Sequence, residues 1–226
     1  MVWLPLPQGP RLASDAFPLS LLIKGLMAIV LMEALGPMLL ARPPLSGMAA
    51  LGILRLVQTM VLLALVFQSG SPVAWRVIGL DRETWVNGWR WGLAGAAGFA
   101  LLALGGGAAL HLSGINPLNL LHTPLPSPTG QKVLFFIVGG CIAPIAEEVL
   151  FRGYLYTYCR RWGIVTALSL STAVFVAMHL PSGLPVTQIV GGIAFAIAYE
   201  KHKSLIAPLI IHILANLAIF SLGLIP

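Results

Sequence analysis

Charged residues are scarce in this chain of 226 residues, because Asp, Glu, Lys and Arg together make up only 9% of it. An average soluble domain carries roughly 25%. Hydrophobic residues make up 58%, and the mean hydropathy is +0.93. So few charges cannot cover the surface of an ordinary water-soluble domain of this length. The composition therefore predicts an integral membrane protein whose surroundings are the lipid bilayer.

Cysteine is also rare, with only Cys141 and Cys159 present. The two lie near opposite ends of one predicted helix, so they cannot form a disulfide with each other. No internal repeat and no shift in composition marks a second domain, so we expect residues 1–226 to form a single integral membrane domain. The stretch from Met1 to Phe17 has no basic region before an apolar core, so no cleavable signal peptide is predicted.

Long apolar runs are what the sequence has instead. A helix that crosses a bilayer needs about 17 to 25 predominantly apolar residues. Such runs predict an all-α, polytopic membrane helix bundle of about seven transmembrane helices, in which the run near 186–200 is the shortest. The Trp and Arg residues interleaved between Ser71 and Trp91 predict an interfacial segment between helices two and three. The predicted spans lie near 18–41, 46–69, 89–112, 131–159, 162–180, 186–200 and 204–224.

The net charge of +6 does not indicate a nucleic-acid partner, because the basic residues are scattered between spans rather than gathered on one face. They are concentrated in alternate loops, which is the positive-inside pattern and predicts a cytoplasmic N-terminus. The oligomeric state stays open. The loops assigned to the cytoplasmic side carry Arg11, Arg76, Arg82, Arg90, Arg160, Arg161, Lys201 and Lys203, and the opposite loops carry Arg42 and Lys132.

Polar residues on the first two predicted spans are costly in lipid. We expect them to face other helices or to extend toward an interface, in structural roles. They are Lys24, Glu33, Arg55 and Gln58.

Two adjacent acids form the most informative motif. Glu147 and Glu148 follow fourteen uncharged positions, Val133 to Ala146. A carboxylate removed from water is costly unless it is paired or neutralised, so the two acids indicate a functional site. Arg152 lies one helical turn beyond Glu148. We therefore predict that Arg152 pairs with Glu148 and that Glu147 is left for chemistry.

Other polar groups occur on later spans. His179 ends an apolar run, and His212 and Asn216 lie four residues apart on one face of the last span. At a rise of about 1.5 Å per residue, these groups and Glu147 lie roughly 14 to 25 Å from the cytoplasmic ends of their helices, near mid-membrane. A carboxylate and an imidazole can remove a proton from a water that attacks a carbonyl, while a second imidazole and an amide bind the oxyanion. The set thus fits peptide hydrolysis.

The residues form three ordered motifs on separate spans, and together these resemble the CAAX protease and bacteriocin-processing family of intramembrane proteases, also called Abi proteins. The resemblance covers residues 130–220, which we take as the catalytic core of the domain. Ala146 stands where many relatives carry a third acid. The motifs are Glu147-Glu148-x-x-x-Arg152, Phe175-x-x-x-His179 and His212-x-x-x-Asn216.

The resemblance implies a glutamate-type endopeptidase that uses no metal and no other cofactor. Glu147 would be the general base acting on water with His179, and His212 and Asn216 would form the oxyanion hole. The implied substrate is a hydrophobic or lipidated protein or peptide. The short chain is similar to prokaryotic members, so the cytoplasmic membrane of a prokaryote is expected. The remaining motif residues would support the site, namely Glu148, Arg152 and Phe175.

Other functions stay open at this stage. A zinc-dependent membrane hydrolase would use Glu147, His179 and His212 as three ligands, although the chain contains no HExxH motif. Activity that persists in excess chelator would exclude it. A bacteriocin immunity or peptide-binding membrane protein would use the same groups without hydrolysis. A proton-coupled transporter is disfavoured because no inverted repeat is visible. The sequence names neither the substrate nor its cleavage site nor its side of entry.

Overall fold

A computed structural model of the protein describes residues 17–40, 47–70, 72–121, 123–179 and 185–224. Within these ranges the regular structure is entirely helical, and seven longer helices confirm the predicted all-α bundle. Most of the stretch from Met1 to Phe17, for which no signal peptide is predicted, lies outside the described residues, and so do Arg11 and Arg42. The helices are α1 (Leu19–Leu40), α2 (Gly47–Gln68), α3 (Pro72–Val77), α4 (Arg82–Leu112), α5 (Leu118–Leu121), α6 (Thr129–Trp162), α7 (Ile164–Ala177), α8 (Val186–His202) and α9 (Ile206–Leu222).

The helices of the described part are apolar enough for a membrane. Four stretches there are long enough to cross it, namely Leu19–Leu40, Gly47–Gln68, Val73–Leu112 and Thr129–Trp162, and α7 and α9 are apolar but shorter. Large apolar side chains also point outward, since Leu102 and Leu104 on α4 are 77% and 71% exposed. Such a surface is unfavourable in water and suits lipid. These features support an integral membrane protein.

Helix α4 begins at Arg82, well before the apolar run that predicted it. The reason is an N-cap, because the Asp81 carboxylate accepts a hydrogen bond from the backbone N–H of Thr84 at 3.1 Å. The segment between α2 and α4 is therefore divided into the short helix α3, a turn and the start of α4. Trp85 and Trp89 lie in the first turns of α4 and are about half exposed, at 48% and 56%.

Helix α6 lies at the centre of the bundle and contacts α1, α2, α7, α8 and α9. Two of its segments, Val138–Ile142 and Val149–Tyr156, are π-helical. Pro144 explains the first, because it has no N–H to donate and its ring crowds the carbonyl four residues earlier. The N–H of Ala143 bonds instead to the carbonyl of Val138, five residues back. Segments of this kind occur frequently at functional sites.

Helix α1 packs against α6 through Gly25. A Cβ built on Gly25 would lie only 2.5 Å from Cε1 of Tyr154. The Tyr154 ring cannot move aside easily, because it is fully buried and its hydroxyl donates to the carbonyl of Leu62 at 2.6 Å. The absence of a side chain at position 25 therefore sets the distance between the two helices.

Substituting Gly25 tests this contact. We expect Gly25→Ala to lower the free energy of unfolding by about 1–3 kcal/mol, because the added methyl overpacks a filled region. The measurement is the thermal unfolding midpoint in detergent micelles. Gly98→Ala is the matched control, since nothing lies within 4 Å of its Cβ position and alanine favours a helix. Equal midpoints for the two variants would contradict the close packing.

Candidate active site

Glu148 is fully buried between two partners. Arg152 Nη1 donates to Glu148 Oε1 at 2.8 Å, and His212 Nδ1 lies 2.8 Å from the same oxygen. The predicted ion pair between Glu148 and Arg152 is therefore present, and it extends to the last helix. Arg152 Nη2 also donates to the carbonyl of Gly192 at 3.0 Å. These bonds join α6, α8 and α9 around one carboxylate.

Aromatic rings surround the Arg152 guanidinium. The carbon Cζ lies 5.1 Å from the ring centre of Phe175, 5.3 Å from that of Phe195 and 6.0 Å from that of Phe151. Rings at such distances stabilise a desolvated cation through their negative faces. In the described part of the chain, Arg152 Nε and Glu148 Oε2 are buried without a hydrogen-bond partner. The pair is thus held in an apolar, fully enclosed place.

Glu147 faces both predicted histidines. Its Oε2 lies 3.8 Å from His179 Nε2 and 3.7 Å from His212 Nε2. These separations are longer than a hydrogen bond, so the three atoms face one another without direct hydrogen bonds. Three groups that are distant in sequence thus face one common point, from α6, from the turn just after α7 and from α9.

The partners at Nδ1 indicate which nitrogen of each neutral imidazole carries the hydrogen. His179 Nδ1 lies 2.7 Å from the carbonyl of Phe175, which only accepts, so Nδ1 carries the hydrogen. Neutral His179 therefore presents a lone pair on Nε2 toward Glu147. His212 Nδ1 faces the Glu148 carboxylate in the same way, so its Nε2 donates a hydrogen only when the ring is an imidazolium.

Asn216 lies one turn beyond His212 on α9 and makes a contact of its own. Its Nδ2 donates to the carbonyl of Gly139 at 3.0 Å, in the first π-helical segment of α6. That bond uses one of the two hydrogens on Nδ2. This contact is separate from the place where Glu147, His179 and His212 face one another. The role of Asn216 in an oxyanion hole therefore stays a prediction.

Phe175 supports the histidines through its ring. Its centre lies 4.5 Å from that of His179 and 6.0 Å from that of His212. Phe195 does the same from α8, stacking on His212 at 4.3 Å with 21° between the planes. The sequence did not indicate Phe195, because an aromatic residue in an apolar helix carries no signal of its own beyond packing.

A cavity of about 50 Å³ opens beside Glu147 and His179. This volume holds at least one water molecule. Arg55 and Gln58 of α2 also line it, and apolar side chains such as Ile29 form the rest. The sequence predicted only structural roles for Arg55 and Gln58, because nothing in the sequence showed that α2 borders the acids of α6.

A metal centre is the alternative use of these side chains. Among the residues that the structure describes, no group of three or more His, Cys, Asp or Glu side chains is arranged to hold a metal ion. Both cysteines are free, as predicted. The geometry therefore gives no support to a zinc-dependent hydrolase. Measuring activity in excess chelator decides whether zinc is needed.

Comparison with known proteins adds one finding. Residues 129–218 match the family model described as type II CAAX prenyl endopeptidase Rce1-like. The matched segment contains all three motifs and confirms the resemblance that they predicted. No curated protein and no solved structure matches the chain.

Proposed function

We propose that this membrane protein is a glutamate-type intramembrane endopeptidase, and the match of residues 129–218 to the Rce1-like family model of type II CAAX prenyl endopeptidases supports this proposal. The observation that carries the proposal is the convergence of Glu147 Oε2 with the Nε2 atoms of His179 and His212, at 3.8 and 3.7 Å. Residues 130–220 would form the catalytic core of a single membrane domain.

Hydrolysis begins with a water held between Glu147 and His179. Both present acceptor atoms, so each can take one hydrogen bond from the same water molecule. As the water oxygen attacks the peptide carbonyl carbon, its proton passes to the Glu147 carboxylate. The resulting intermediate carries its negative charge on the former carbonyl oxygen. The adjoining cavity of about 50 Å³ gives room for the water.

The oxyanion then needs hydrogen-bond donors. His212 supplies one from Nε2 as an imidazolium, and Glu148 supplies the acceptor that such a ring needs at Nδ1, where the separation is 2.8 Å. Arg152 balances the charge of Glu148 and keeps it in position. The second hydrogen on Asn216 Nδ2 would supply another donor.

Bond cleavage returns the proton. Protonated Glu147 donates it to the departing amide nitrogen as the carbon–nitrogen bond breaks, so one water is consumed and a carboxylic acid and an amine are released. This sequence needs no covalent enzyme intermediate and no cofactor. The side chains of Glu148, Arg152 and Phe175 would position the reacting groups without touching the substrate.

The position of the site indicates the kind of substrate. Glu147 lies within the apolar stretch Thr129–Trp162, so the peptide must reach it from the bilayer. We infer a hydrophobic or lipidated protein or peptide as the substrate. We also propose a cytoplasmic N-terminus, which the positive-inside pattern supports, and the cytoplasmic membrane of a prokaryote as the location.

The proposal is tested by comparing cells that produce the wild-type protein with cells that produce Glu147→Gln. Mass spectrometry of the N- and C-termini of membrane and secreted proteins should reveal at least one hydrophobic peptide or protein that stays uncut only with the variant. Glu83→Gln is the matched control, because it removes an exposed carboxylate at the start of α4 and should leave processing intact. Identical sets of termini with wild-type protein and Glu147→Gln would overturn the proposal.

A further inference from the structure

Trp91 of α4 meets the end of α8 in a small cluster that the active site does not include. Its indole ring stacks on the His202 imidazole, with 4.9 Å between the ring centres and 16° between the planes. Lys201 Nζ lies 5.8 Å from the centre of the same indole ring. Trp91 is 45% exposed, and Lys201 is exposed as well. The cluster therefore presents an aromatic ring and a cation together on the outside of the bundle.

The cluster lies at the end of the bundle where most basic residues gather. The ends of α3, α6 and α8 adjoin there, because Tyr199 donates to the carbonyl of Val77 at 2.9 Å and Arg160 Nε donates to Glu200 at 2.9 Å. Positive charge is therefore in excess at this end. It carries seven Lys and Arg residues and three acids, namely Arg76, Arg82, Arg90, Arg160, Arg161, Lys201 and Lys203 with Asp81, Glu83 and Glu200.

Lys201 takes no part in the ion pairs of this end. Its neighbour in the chain, Glu200, is bound by Arg160 Nε at 2.9 Å and by Lys203 Nζ at 2.6 Å. Within residues 17–40, 47–70, 72–121, 123–179 and 185–224, no carboxylate pairs with Lys201. Its ammonium group thus has hydrogen-bond donors left for an anion from outside the chain.

Apolar side chains lead away from the cluster along both helices. On α8, Val190 and Ile197 are 48% and 51% exposed, and their spacing places them on the same helical face as Lys201. On α4, Leu102 is 77% exposed and lies on the same face as Trp91, about three helical turns beyond it. An apolar chain that lies along either face therefore ends at the ring of Trp91 and the ammonium of Lys201.

We propose that the cluster of Trp91, Lys201 and His202 binds the phosphate of an anionic phospholipid, with the acyl chains lying along the exposed faces of α4 and α8. This inference is independent of the proposed hydrolysis. A phosphodiester carries a negative charge and oxygen atoms that accept hydrogen bonds from an ammonium group. Indole rings are favoured at the level of the headgroups, and basic sites between membrane helices bind anionic headgroups. The stack on His202 holds the Trp91 ring in place beside Lys201.

The test is a titration of the purified protein in uncharged detergent micelles. Phosphatidylglycerol and phosphatidylcholine are added separately, and native mass spectrometry measures the Kd of the first bound lipid. We expect phosphatidylglycerol to bind about fivefold more tightly, the effect of one cation on an anionic headgroup. Lys201→Gln should remove this preference and leave the Kd of phosphatidylcholine unchanged. Lys201→Arg should retain the preference, because a guanidinium also binds phosphate.

Arg76→Gln is the matched control, since it removes an exposed cation from the same basic end at the end of α3 and should leave the preference intact. Equal Kd values of the wild-type protein for the two lipids would overturn the inference. An equal loss in Arg76→Gln and Lys201→Gln would indicate diffuse attraction to a basic surface and would reject the site. Inorganic phosphate in large excess should not displace the lipid. Displacement would assign the site to a free anion instead.

Discussion

Replacing Glu147 by Gln will lower the rate of peptide cleavage by about 10²- to 10⁴-fold and leave the protein folded. The loss follows because Gln has the size of Glu but no basic oxygen to accept the proton of the attacking water. Folding should survive because Glu147 Oε2 makes only long contacts, at 3.7 and 3.8 Å, with the two histidines. The measurement is kcat on a cleaved peptide, together with the thermal unfolding midpoint.

Glu83→Gln provides the comparison for this variant, since it removes a carboxylate far from the motif residues in sequence and exposed on α4. Its kcat should equal that of the wild-type protein. If Glu147→Gln kept full activity, a role for Glu147 as general base would be rejected. If the variant unfolded at a much lower temperature, the loss of activity would be structural, and the long contacts of Glu147 would have been misjudged as weak.

Replacing Arg152 by Met will lower the free energy of unfolding by about 3–5 kcal/mol, because it leaves the Glu148 carboxylate buried without its cation. Both side chains of the pair are 0% exposed, and Nη1 and Oε1 are 2.8 Å apart. Met is similar in length to Arg and apolar, so little packing against Phe175 and Phe195 is lost. The measurement is denaturant or thermal unfolding in detergent micelles.

Two further variants separate the effect of the lost charge on stability from the effect of lost packing. Arg76→Met removes an exposed cation at the end of α3 and should change stability very little. The double variant Glu148→Gln with Arg152→Met removes both charges and should recover part of the lost stability. If the double variant were less stable than Arg152→Met alone, the buried unpaired charge would not be the cause.

The sequence predicted most of the helices because apolar runs of membrane length are visible without any tertiary information. It placed the start of α4 too late. The Trp and Arg residues before the apolar run indicated an interfacial segment, although Asp81 caps a helix that begins at Arg82. The π-helical segments of α6 were not predicted either. A π-helical turn depends on which N–H group each backbone carbonyl accepts from. Pro144 indicated that the regular helix is interrupted, but it did not indicate a π-helical turn.

The sequence could predict those site residues that are polar or charged within apolar segments. Glu148 and Arg152 were paired correctly because a four-residue spacing on a helix brings side chains together. The position of Arg55 beside the cavity was missed, because the sequence does not show that α2 packs against α6. Phe195 was missed because its residue type matches its surroundings.

The ring of His212 lies between the carboxylates of the two glutamates. One edge of its ring meets Glu148 at 2.8 Å and the opposite edge faces Glu147 at 3.7 Å. A displacement of either carboxylate therefore reaches the other through a single five-membered ring. The sheltered and the water-accessible halves of this centre are coupled through His212, and no variant of one acid leaves the other wholly undisturbed.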